Sequence, residues 1–155
     1  MEKLPPLEKV HEAWSALADG RVSVCPDERR AAVASSDGRK EYTVTWDADG
    51  RVYSSNDNAT YWQGYAGYPV LAVLMEQGLL PLDRAAAEAF AGVNWTALNE
   101  RFKRDYAAAV AHVVDERGLD AAQLDASAHA VMDALAPLDL AVKRGSVRPS
   151  KSKKA

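Results

Sequence analysis

DGRKEYTVTWDADGRVY, residues 37–53, decides the class of this fold. Tyr42, Val44 and Trp46 fall on one side of an extended chain, and Glu41, Thr43 and Thr45 on the other. That period of two belongs to a half-buried strand. Before it, Asp37-Gly38 reads as a two-residue type I′ turn, whose central positions both need positive φ. Such a turn sets Ala34 opposite Glu41 and Val33 opposite Tyr42. After it, Asp47-Ala48-Asp49-Gly50 reads as the next turn and residues 51–55 as the next strand, with Val52 and Tyr53 its bulky members. A loop of two or of four residues is open there, and with it the register of that strand.

Working upstream, Val22 and Val24 alternate with Arg21 and Ser23, Pro26-Asp27 interrupts, and residues 30–36 resume as an Ala-rich strand around Val33. The expected sheet is a three- or four-stranded antiparallel meander with one buried and one wet face. An N-terminal helix precedes it: Leu7, Val10, Trp14 and Leu17 recur at helical spacing after Pro5-Pro6, and Gly20 ends the run.

Working downstream, Thr60-Tyr61-Trp62-Gln63 has capping-box spacing and predicts a short helical turn, stopped by Gly64 and Gly67. Pro69 and Gly78 bracket Val-Leu-Ala-Val-Leu-Met-Glu-Gln, apolar nearly all round, as a buried helix at the centre of the core. Asp83 predicts a short helix to about Ala91. Asn94 predicts the longest helix, to Arg117, with a stripe of Trp95, Leu98, Phe102, Tyr106, Val110 and Val113. Asp120 opens a last helix that Pro137 terminates, with Leu124, Ala128, Val131 and Leu135 inward. Strands and helices are segregated, so the fold class is α+β rather than a doubly wound sheet.

The 155 residues suit one domain, and 48% hydrophobic with 26% charged residues is globular composition. The longest apolar run, Val70 to Met75, is far short of the about 20 residues of a membrane-spanning helix. With a single cysteine and no signal-like N-terminus, the expectation is a cytoplasmic protein with no membrane partner. Charge divides the chain in two. Lys143, Arg144, Arg148, Lys151, Lys153 and Lys154, with no acid among residues 143–155, give +6; the whole chain is −3, which leaves −9 on residues 1–142. Residues 1–142 are read as the domain and 143–155 as a basic, disordered tail.

Most candidate chemistry dissolves on inspection. Asp47-Ala48-Asp49-Gly50 lacks the third ligand and closing glutamate of a calcium loop, so a hairpin turn explains it. Asp125, His129 and Asp133 stack at helical spacing, which is also the spacing of a surface ion-pair ladder, as is that of His112 with Asp115 and Glu116. Cys25 has no basic neighbour to lower its pKa and reads as a small buried hydrophobe. Ser54-Ser55 lacks a nucleophile-elbow context, and Gly64-Tyr-Ala-Gly67 lacks the spacing and lysine of a phosphate loop. No catalytic residue, metal site or cofactor is assigned.

What stands out is residues 53–68. Tyr53, Tyr61, Trp62, Tyr65 and Tyr68 are interleaved with Asn56, Asn58 and Gln63, and rings beside amides make good recognition surfaces. The plain alternative is that these rings seal the sheet against the apolar helix. The composition predicts a non-enzymatic binding or protein-interaction domain using Tyr53, Asn56, Asn58, Tyr61, Trp62, Gln63, Tyr65 and Tyr68 on a protein or small ligand, with self-association included. One alternative is a nucleic-acid-associated protein, with room for a winged-helix-like order, contacting phosphates through Lys143, Arg144, Arg148, Lys151, Lys153 and Lys154. Another is an enzyme assembled from distant residues, with Cys25 or His11 beside the aromatic cluster.

Overall fold

The computed structural model describes residues 1–145. It opens on α1 (Glu8–Ala18) and continues through β1 (Val22–Cys25), β2 (Arg30–Ala34), β3 (Glu41–Trp46) and β4 (Val52–Ser55). These strands form the expected antiparallel meander, here four-stranded. Val33 lies opposite Tyr42 and Ala34 opposite Glu41, the register expected from residues 37–38. The turn itself differs. Gly38 has φ +75° but Asp37 is not left-handed. Ser35 N–H donates to the Lys40 carbonyl, so residues 36–39 form the loop. Asp37 is held by the Ser35 hydroxyl and the Arg39 N–H at 2.7 and 3.0 Å, which favours the wider loop. Both loops share one centre, and the register therefore survives.

The second hairpin settles what the sequence left open. Asp47 N–H donates to the Val52 carbonyl, and Trp46 lies opposite Tyr53, their rings stacked at 5.7 Å. The Asp47 carboxylate accepts from the N–H groups of Arg51 and Val52 at 2.8 and 3.2 Å, as a turn residue does.

From here the chain is helical: α2 (Asn58–Gln63), α3 (Tyr68–Glu76), α4 (Arg84–Ala89), α5 (Trp95–Arg101), α6 (Tyr106–Arg117) and α7 (Ala121–Leu135). The cap of α2 is Asp57, which accepts from Thr60 N–H, three residues earlier than Thr60-x-x-Gln63 suggested. α3 is buried from Pro69 to Met75 and lies on the sheet against β1, β3 and β4. The single helix expected from Asn94 to Arg117 is broken. Lys103 and Arg104 are left-handed at φ 52° and 65°, and the Asp105 carboxylate accepts from Ala108 N–H to start α6. The apolar stripe runs across this break with its helical spacing intact, which concealed it.

A fifth strand, β5 (Ala141–Arg144), pairs parallel to β4 and places Val52 opposite Ala141 and Ser55 opposite Arg144. It extends the sheet past the expected meander and two residues past the expected end of the domain. Lys143 and Arg144 therefore belong to the sheet, not to a tail. Ladder hydrogen bonding outweighed their polar composition, and both are exposed on the edge.

α1 packs against α3 and α4 and also meets α6 and α7. Every residue from Lys9 to Ala16 is buried. Four of them are polar, and partners explain their tolerance. Ser15 donates to the Phe90 carbonyl at 2.6 Å and accepts from Trp95 Nε1 at 2.7 Å, latching α1 to the segment after α4. His11 packs edge-on between Trp14 and Phe90. Lys9 and Glu12 face another way, toward α2 and α5.

Candidate functional site

Between α1, α2 and the α5–α6 turn lies an open cleft of about 650 Å³. Asn58, Trp62, Gln63 and Tyr65 form one wall, and Asn99, Arg104 and Tyr106 the other. It shares Lys9, Asn58, Ala59, Thr96 and Asn99 with a recess of about 160 Å³ that adds Glu12, Arg21, Tyr42 and Tyr68. A wide aromatic and amide mouth thus leads to a narrow charged interior.

The interior is organised by an ion pair. Lys9 Nζ lies 2.9 Å from Glu12 Oε2, and both side chains are over nine-tenths buried, at 8% and 6% exposure. Asn99 Nδ2 donates to Glu12 Oε1 at 3.0 Å, and Lys9 Nζ also sits 4.1 Å from the Tyr106 ring centroid. Burial alone would lower the Lys9 pKa, but the Glu12 carboxylate outweighs it and the value is raised. Arg21 donates through Nη1 to the Ala34 carbonyl. Its Nη2, and Oδ1 of Asn99, are buried without a hydrogen-bond partner among the described residues. Buried polar atoms are normally satisfied, so two orphans on one recess are informative. Burial, with Asp57, Asp37 and Glu12 adding to it, pushes the Tyr42 hydroxyl up to about 12. Tyr68 meets it edge-on at 6.3 Å and is raised as well, again by burial first.

The residues singled out from sequence separate into three groups. Asn58, Trp62, Gln63 and Tyr65 line the mouth, and Tyr68 the recess. Tyr61 faces Arg144, whose guanidinium stands 4.6 Å from its ring centroid and 6.0 Å from that of Trp62. Tyr53 and Asn56 line neither space. Tyr53 is 1% exposed and donates its hydroxyl to Gln77, and Asn56 Oδ1 accepts from Thr43 N–H at 2.8 Å. For Tyr53 the sealing role is the one observed, because an inward position on a paired strand buries its ring.

Gly67 is packed against the Asp57 carboxylate, and its N–H donates to Thr60 Oγ1 at 3.0 Å. Cys25 is exposed at the end of β1, contrary to the buried role expected, because a 3-10 turn at Pro26–Glu28 carries the edge strand into solvent. Neither it nor His11 lines the aromatic cleft. His129 pairs with Asp125 at 3.3 Å on an exposed face. Arg148, Lys151, Lys153 and Lys154 lie outside the described residues.

Sequence reasoning missed Lys9, Glu12, Arg21, Tyr42, Asn99 and Tyr106. A usable signal existed for two of them: Lys9 and Glu12 stand three apart beside Val10 and Trp14, on a helix too crowded with apolar residues to leave both in water.

Fold and site together define an α+β domain with a two-part cleft. The chain belongs to the family described as Uncharacterised conserved protein UCP014422, which it matches over residues 2–141. Every cleft residue falls inside that span, whereas Lys143 and Arg144 lie beyond it. No curated protein and no solved structure gives a significant match.

Proposed function

We propose that this protein is a binding domain whose cleft between α1, α2 and the α5–α6 turn holds a segment of another polypeptide. The supporting observation is Trp62, a large ring 52% exposed at the mouth of a cleft also lined by the amides of Asn58, Gln63 and Asn99. Rings offer apolar area at low entropic cost, and amides pair with a peptide backbone. The charged recess, with its orphaned Arg21 and Asn99 atoms, suits a polar side chain at the segment's anchor.

The test is selection of peptides of about twelve residues against the immobilised protein, followed by titration. An aromatic anchor of an interface is worth about 2 kcal/mol, so Trp62→Ala weakens the selected peptides about thirtyfold. With the Tyr61 ring at 4.7 Å and the Arg144 guanidinium beside it, the same change costs about 1 kcal/mol of stability. Peptides that bind Trp62→Ala as well as the parent would overturn the proposal. So would loss of the fold in that variant without any peptide being selected. Oligothymidylate is the comparison arm. Binding there that weakens with salt and with Arg144→Ala, in the absence of peptide binding, assigns the surface to nucleic acid instead.

A further inference from the structure

A second concavity lies on the far side of α1 from the charged pair, between α1, α6 and α7, with a volume of about 520 Å³. That is within the range of about 300–1,000 Å³ typical of small-molecule sites. Its walls are apolar: Leu7 from the entry to α1, Val110 and Val114 from α6, and Leu124 from α7. At its floor is His11, 4% exposed, whose buried Nδ1 has no side-chain hydrogen-bond partner among the described residues. Burial holds the pKa of this imidazole down at about 4, so it stands in the wall uncharged at neutral pH.

The charged groups around the opening are all acidic. Glu8, Asp115 and Asp125 line it, and among the described residues no lysine or arginine does. Asp125 also meets His129 at 3.3 Å, and among the described residues Glu8 and Asp115 have no ion pair. An apolar hollow ringed by carboxylates selects by charge as well as by hydrophobicity, because a low-dielectric wall strengthens the field at the rim. We infer that this groove is a binding site for a small apolar amine, its hydrocarbon body against Val110, Val114 and Leu124 and its ammonium group among Glu8, Asp115 and Asp125. The site is separate from the aromatic cleft and stands whether or not that cleft binds peptides.

Calorimetric titration of the full chain with octylamine, octanol and octanoate tests it. The expected result is one saturable site for octylamine, about tenfold tighter than for octanol, with octanoate weakest. Ala111→Trp, at an exposed position on α6 that lines the groove, fills the space and removes binding. Ala107→Leu does the same from another exposed position should Ala111→Trp not fold. Asp115→Asn combined with Asp125→Asn brings octylamine down to the level of octanol, and Trp62→Ala leaves it unchanged. Octanol or octanoate binding as tightly as octylamine would overturn the inference. Equally, so would undetectable octylamine binding, or binding that survives the filled groove.

Discussion

Gly67→Ala is expected to destabilise the protein by about 3 kcal/mol or more, several times the cost of Gly64→Ala. The backbone conformation is not the reason. Gly67 has φ −71°, open to any residue, whereas Gly64 has φ +77°. Space is the reason. A Cβ on Gly67 would overlap Asp57 Oδ1, but one on Gly64 would meet nothing within 4 Å among the described residues. Asp57 cannot simply step aside. It is 3% exposed, its Oδ1 caps α2 through Thr60 N–H at 3.0 Å, and its Oδ2 accepts from the Ser55 hydroxyl at 2.5 Å. Displacing it sacrifices a cap worth about 1 kcal/mol and leaves a buried carboxylate underbonded. Gly64→Ala carries only left-handed strain, about 1 kcal/mol. Urea unfolding of both variants measures the difference, and equal losses would mean that the joint at residues 57–67 is not packed in this way.

Lys9→Met is the second large effect, a loss of about 3–5 kcal/mol, because it leaves the Glu12 carboxylate buried without its cation. Adding Glu12→Gln to that variant restores about 2 kcal/mol or more. The glutamine is neutral and still presents an oxygen to Asn99 Nδ2. The pH dependence follows from the raised Lys9 value. A cation held more tightly in the folded state contributes fully below its ordinary pKa of 10.5, and that contribution disappears as pH rises through the folded-state value. Additive losses in the two single variants, with no recovery in the double, would show that the pair is solvated and the recess open to water.

Much of the fold was legible because two periodicities do not overlap. Tyr42, Val44 and Trp46 can only be a strand, and residues 69–77 only a buried helix. The register of β2 on β3 could even be placed with the wrong turn, since Asp37-Gly38 marks the centre of either loop. Three features were hidden for physical reasons. The Lys103–Asp105 break is invisible to periodicity because Phe102 and Tyr106 keep helical spacing across it. β5 was obscured because strand pairing to β4 is a long-range contact, and Lys143-Arg144 is poor strand sequence on its own. The recess was missed because Lys9, Arg21, Tyr42 and Asn99 come from three elements and a connecting turn, far apart in sequence, and only folding brings them together. In the 53–68 segment the sequence showed which rings and amides were present but not their direction: alternation turned Tyr53 inward, while the short α2 turned Trp62 out.

The proposed cleft between α1, α2 and the α5–α6 turn predicts which residues meet a bound peptide. Amide chemical-shift mapping of the isotope-labelled full chain with a selected peptide bears on it most directly. The largest shifts are predicted at residues 58–65 and around Asn99 and Tyr106, with the opposite side of α1 unmoved. Shifts concentrated on the outer faces of α6 and α7, or on the free edge of β1, with residues 58–65 unchanged, would contradict it.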